Sequence, residues 1–108
     1  MLAVTRVSGQ LGTTSDGKLA GTDFRAQAEQ VFANLETALA AVGASFADVV
    51  KINSFLADIG HLPILREVRA RHLDAAALPA STTIAVSGFA IPGALLEVEA
   101  VAVVPGTR

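Results

Sequence analysis

Two glutamates stand one residue apart late in the chain, in Leu95-Leu96-Glu97-Val98-Glu99-Ala100. In a strand, positions i and i+2 share a face about 7 Å apart. Carboxylates so placed could set a general base beside a second charge that makes it hold its proton more tightly. The plainer alternative is a strand with a solvated polar face, and spacing alone favours it. Ser8-Gly9-Gln10 is a second candidate, because a glycine after an apolar run lets a ligand approach backbone N–H groups. An ordinary turn entry explains the same tripeptide. The two histidines, His61 and His72, have no carboxylate or third histidine at metal-ligand spacing, so neither a metal site nor a metal cofactor is expected. His72, Arg69 and Arg71 read instead as positive charge favouring a helix C-terminus. Nucleophile-elbow, phosphate-loop and dinucleotide fingerprints are all missing. With no cysteine, thiol catalysis, disulfides and zinc–thiolate sites are excluded.

The elements that must carry these residues follow from the pattern. Residues 2–7 form an apolar strand that runs into Ser8-Gly9-Gln10. The turn-rich residues 12–17 lead to a short second strand around residues 18–20. Thr22 or Asp23 caps a helix that ends near Gly43. Its stripe is Ala28, Val31, Phe32, Leu35, Ala38, Leu39 and Val42, while Gln27, Glu29, Gln30, Asn34 and Glu36 fall mostly on other faces. Residues 49–57 read as a strand, 58–60 as a turn, and 61–73 as a second helix with Pro63 in its first turn. Strands at 82–86 and 95–104 complete the order β-β-α-β-α-β-β. This predicts one α+β domain over residues 1–108, a two-layer fold with two helices on one face of a mixed sheet.

Composition says what covers the other face. The 108 residues are 52% apolar and 17% charged, with mean hydropathy +0.54. Soluble chains average roughly a quarter charged residues, so a homo-oligomer that buries apolar surface is expected. Residues 75–96 carry no charge and are long enough to span a bilayer, but Pro79, Gly88, Pro92 and Gly93 break them into strand, loop and strand. No membrane partner is expected. The segment MLAVTRVSGQ lacks the order of a secretory leader, which fits a cytoplasmic protein. A net charge of −2, and lysines only at 18 and 51, argue against a nucleic-acid partner.

Several stretches resemble the Rid (YjgF/YER057c/UK114) family. They are Val7-Ser8-Gly9-Gln10, residues 30–35, residues 40–51, Phe55-Leu56-Ala57-Asp58, Pro79-Ala80 and residues 96–102. The resemblance implies a chorismate-mutase-like fold, a homotrimer with clefts between subunits, and no cofactor. It implies hydrolysis of a reactive enamine or imine to a carbonyl compound and ammonia. It makes Glu97 the water-handling catalytic residue, and Ser8, Gly9 and Thr83 substrate contacts. At position 81, where archetypal members use an arginine to clamp the substrate carboxylate, this chain has Ser81. A serine offers one neutral hydrogen bond where arginine offers two charge-assisted ones, so an altered substrate preference is expected. Members also usually carry an aromatic residue before the first strand, and this chain has no tyrosine. Arg6 reads as a surface or subunit-contact residue, with compensation for the missing charge as the alternative. The alternative functions are a non-catalytic homotrimeric module binding a small-molecule metabolite and, against the acidic composition, the ribonuclease or translation-inhibitor label.

Overall fold

The computed structural model describes residues 2–105. Strand β1 (Leu2–Gln10) is followed by helix α1 (Phe24–Ala40), strand β2 (Val49–Leu56), helix α2 (Leu62–Ala70) and strands β3 (Ala80–Ala85) and β4 (Leu96–Pro105). The strands form one mixed sheet in the order β1-β4-β2-β3. The β1–β4 and β4–β2 pairs are antiparallel, and β2–β3 is parallel. A parallel pair needs a long crossover, and α2 supplies it. The expected α+β architecture is therefore present.

Helix α1 starts where the Asp23 carboxylate accepts from the Ala26 N–H at 3.3 Å. It ends at Ala40, and the chain turns out through Gly43, whose φ of +75° is strained for a side-chain-bearing residue. The Ala44 N–H then reaches back to the Leu39 carbonyl at 2.9 Å. Val31, Phe32, Leu35 and Leu39 are fully buried along the expected stripe, whereas Val42, past the helix end, is exposed. They pack on Ile52 and Leu56 of β2, Leu65 and Val68 of α2, and Leu96, Val98 and Ala102 of β4. Each large side chain so buried contributes roughly 1.5–3 kcal/mol.

Two sequence expectations need correction. The second strand shrinks to an isolated bridge between Thr13 and Leu19. Residues 14–18 are consumed by a turn in which the Thr14 N–H donates to the Lys18 carbonyl and Asp16 accepts from the Lys18 N–H. Asp23 already caps α1, so few residues remain to extend a ladder. Gln27, expected on a polar face, is fully buried. Its Nε2 donates to the carbonyls of Gly21 (2.9 Å) and Gly93 (3.1 Å), and its Oε1 accepts from the Leu95 N–H (2.8 Å). A buried amide is tolerated when its hydrogen bonds are met. Here it ties α1 to the approach of β4, two residues before Glu97.

Alternation along β4 divides the sheet into two faces. Leu96, Val98, Ala100, Ala102 and Val104 are buried under the helices, while Glu97, Glu99, Val101 and Val103 lie half-buried on the open face. No helix among the described residues is long and apolar enough to cross a membrane.

Candidate active site

Glu97 lies on β4, a strand paired on both sides, opposite Phe55 of β2. On its other side β1 carries a register shift between Val7 and Gln10, which brings Gly9 over the Glu97 side chain. A Cβ at Gly9 would stand 2.5 Å from the Glu97 carboxyl carbon and 2.6 Å from its Oε1. Gly9 is therefore the residue that leaves room for this carboxylate. Ser8, next to it, is exposed, and its carbonyl accepts from the Gln10 side chain at 3.1 Å.

The second glutamate is placed differently. Glu99 Oε1 accepts from the Asn53 Nδ2 at 3.0 Å. Arg6, Ser8, Asn53 and Glu99 help to line a hollow of about 440 Å³ on the open face. No hydrogen bond or ion pair holds the Glu97 carboxylate among the described residues, so it is the freer of the two to act on a ligand. A larger hollow, about 710 Å³, lies between the Thr13–Ser15 turn and α1, and no titratable side chain lines it. Glu97 is therefore a better candidate for chemistry than that larger hollow.

Ser81 and Thr83 lie on β3, an edge strand. In the parallel ladder Ser81 pairs with Ile52 and Thr83 with Ser54, both buried on the helix side of β2. Ser81 and Thr83 thus face the helices, whereas Glu97 faces away from them. Within one chain, Ser8, Gly9 and Glu97 form one group and Ser81 and Thr83 another.

The basic residues stand at the end of α2 as expected, and each also makes a contact that the sequence did not suggest. Arg69 lies in the last turn of α2, as expected for a charge favouring the helix C-terminus, and it also makes a tertiary contact. Its Nη1 donates to the Ser81 Oγ at 3.2 Å. Burial, and to a lesser degree the neighbouring Arg66 charge, lower the Arg69 pKa from its ordinary value. The group is still a cation near neutrality, because arginine starts so high. Arg71 pairs with Glu29 at 2.7 Å, and His72 stacks on Phe32 with ring centroids 5.2 Å apart. Those contacts also hold the end of α2 on α1. His61 stacks on Phe24 at 4.5 Å, far along the chain from His72, and among the described residues no group of side chains could hold a metal.

Arg69 and Gln27 are the residues that sequence reasoning missed. Neither has a motif: one is a helix arginine of ordinary spacing and the other a polar residue beside an apolar stripe.

The model of the family described as endoribonuclease L-PSP matches residues 3–104. Protein HMF1 of Saccharomyces cerevisiae is 38% identical over 96 residues, which cover 89% of this chain and 73% of that protein. The 2-iminobutanoate/2-iminopropanoate deaminase of Dermatophagoides farinae is 28% identical over 99 residues, covering 91% of this chain and 76% of that one. Among solved structures, RidA from an Antarctic Psychrobacter superposes with a TM-score of 0.87 at 34% identity, covering 94% of this chain and 80% of that one.

Proposed function

Since the chain belongs to the Rid (YjgF/YER057c/UK114) family, we propose that it hydrolyses a reactive enamine or imine to a carbonyl compound and ammonia, with Glu97 moving the protons. An enamine first tautomerises to its imine by protonation on carbon. Water adds to the C=N carbon while Glu97 takes its proton and passes one to nitrogen. The carbinolamine then collapses. The C–N bond breaks, ammonia leaves, and the hydroxyl proton returns through the same carboxylate. The observation that carries this reading is the Glu97 carboxylate beneath Gly9, half-buried and without a partner among the described residues. The deaminase name of the mite relative supports the reaction class.

Ser8 and the Gly9 backbone would line the same side of the ligand, and Ser81 and Thr83 the other. Because these two groups occupy opposite faces of one sheet, a shared site requires two copies of the chain. That supports a homotrimer with clefts between subunits. So does the exposure of Leu2, Val4 and Ile84, large apolar side chains on the two edge strands. A change of substrate preference follows from the neutral hydroxyl of Ser81. The same hydroxyl favours a second reading, a trimeric module that binds a small metabolite without turnover.

Ammonia release from freshly generated 2-aminoacrylate, followed beside a buffer blank and a Glu97→Gln control, tests the first reading. Release above the blank that is lost in Glu97→Gln is the expected result. Saturable ligand stabilisation with no release establishes the second reading instead, and degradation of RNA that survives Glu97→Gln would displace both.

A further inference from the structure

Three cations on α2 and at its C-terminal cap have different fates. Arg71 has a carboxylate partner, Glu29. Arg66 and Arg69, one turn apart, have none among the described residues. Arg66 is exposed and keeps its water. Arg69 is half-buried, and of its five N–H donors one is directed at a neutral hydroxyl, that of Ser81. A partly desolvated guanidinium that lacks an anion is costly unless something else supplies one.

The surroundings restrict what that anion is. A cavity of about 60 Å³ lies among Ile52, Arg69, Leu73, Leu78, Pro79 and Ser81. Beside it is a cleft of about 180 Å³, lined by Arg66, Arg69, Ala70, Leu73, Ala75 and Leu78. The two share Arg69, Leu73 and Leu78. Drug-sized ligands occupy roughly 300–1,000 Å³, so this space suits a smaller molecule. One end of it is cationic and the rest aliphatic.

We propose that Arg69, held by Ser81, binds the carboxylate of a small monocarboxylate whose apolar side chain lies against Ala70, Leu73, Ala75 and Leu78. This rests on the hydrolase reading in that the carboxylate is taken to be the substrate's own. The cation that Ser81 lacks then arrives from the neighbouring helix. Because it comes from α2, the bound acid is drawn toward the aliphatic cleft, which selects a short hydrocarbon side chain over a polar one.

Isothermal titration of the full chain with 2-oxobutanoate, a stable product-like acid, tests the site without requiring turnover. Butanone, which lacks the carboxylate, and inorganic phosphate serve as comparisons. Arg69→Ala should weaken 2-oxobutanoate binding by about tenfold or more, since it removes a charge-assisted, bidentate partner. Arg69→Lys, which keeps charge and stem and guards against a folding artefact, should weaken it less. Ser81→Ala should weaken it about two- to fivefold, as for one neutral hydrogen bond. Equal binding by wild type and Arg69→Ala, equal binding of butanone, no binding by wild type, or phosphate binding as tight as 2-oxobutanoate would each overturn the assignment. If Arg69-dependent binding is found without ammonia release, the hydrolase reading fails and the site stands. If ammonia is released but Arg69→Ala binds like wild type, the reverse holds.

Discussion

The two polar stations of this sheet are built in opposite ways. Glu97 sits on β4, with β1 on one side and β2 on the other, so its backbone is held from both edges. Space for its carboxylate is provided by the absence of a side chain at Gly9. Ser81 sits on β3, the edge strand, and its surroundings are set by a long side chain from a different element, Arg69 of α2. A proton-moving group needs a fixed position, and a doubly paired strand gives it one. A group that chooses among ligands can be altered by changing one helix residue, and an edge strand beside a helix permits that. On the proposed reading, the chemistry at Glu97 and the choice of ligand at Ser81 are thus carried by separate elements.

The largest effect that would break this comparison is at Glu97. Glu97→Gln keeps the shape and removes the proton carrier, so turnover should fall by about 10²–10⁴-fold with the melting temperature little changed. Steady-state ammonia release and a melting curve check it; unchanged turnover would move the chemistry elsewhere. Gly9→Ala should come next. The added Cβ meets the far end of a flexible side chain and not backbone, so Glu97 swings aside and the fold survives. Activity is expected to drop about tenfold for a stability cost of under about 2 kcal/mol. A variant that unfolds, or one that works normally, would deny the packing of Gly9 on Glu97.

The third prediction concerns the other station. Ser81→Arg should not improve 2-oxobutanoate binding, because it sets a second guanidinium beside Arg69. Like charges there should weaken binding about threefold or more. Adding Arg69→Ser to Ser81→Arg should restore it to the wild-type level or better. A titration of the four proteins closes the cycle, and additive effects would mean that the two positions do not interact. The smallest expected effect is at Ser54, fully buried on the closed face with no hydrogen-bond partner for its hydroxyl among the described residues. Ser54→Ala should leave stability within about 1 kcal/mol of wild type or raise it, as chemical denaturation would show.

Helix α1 was legible because seven apolar positions recur at helical spacing, and β4 because its glutamates alternate with apolar residues. Both are local patterns that burial then obeys, except at Val42, which lies past the helix end and is exposed. Gln27 was not legible. Beside the stripe it looks solvated, and only the carbonyls of Gly21 and Gly93 and the N–H of Leu95, arriving from two other segments, make its burial tolerable. The short strand around 18–20 was over-read, since turn formers beside apolar residues do not say how many residues are left to pair. The residue types at the candidate site were legible through the family resemblance, but their division over two faces was not.

The amino-acid sequence alone determined the family and the two-layer arrangement of elements. These depend on residue identity and on periods of two and 3.6, which need no knowledge of distant contacts. Tertiary structure decided that Gly9 lies over Glu97, that Ser81 faces the helices, and that Arg69 stands beside it. Those three facts depend on strand register and on the crossover from β2 through α2 to β3, which bring together residues with no shared pattern in the chain.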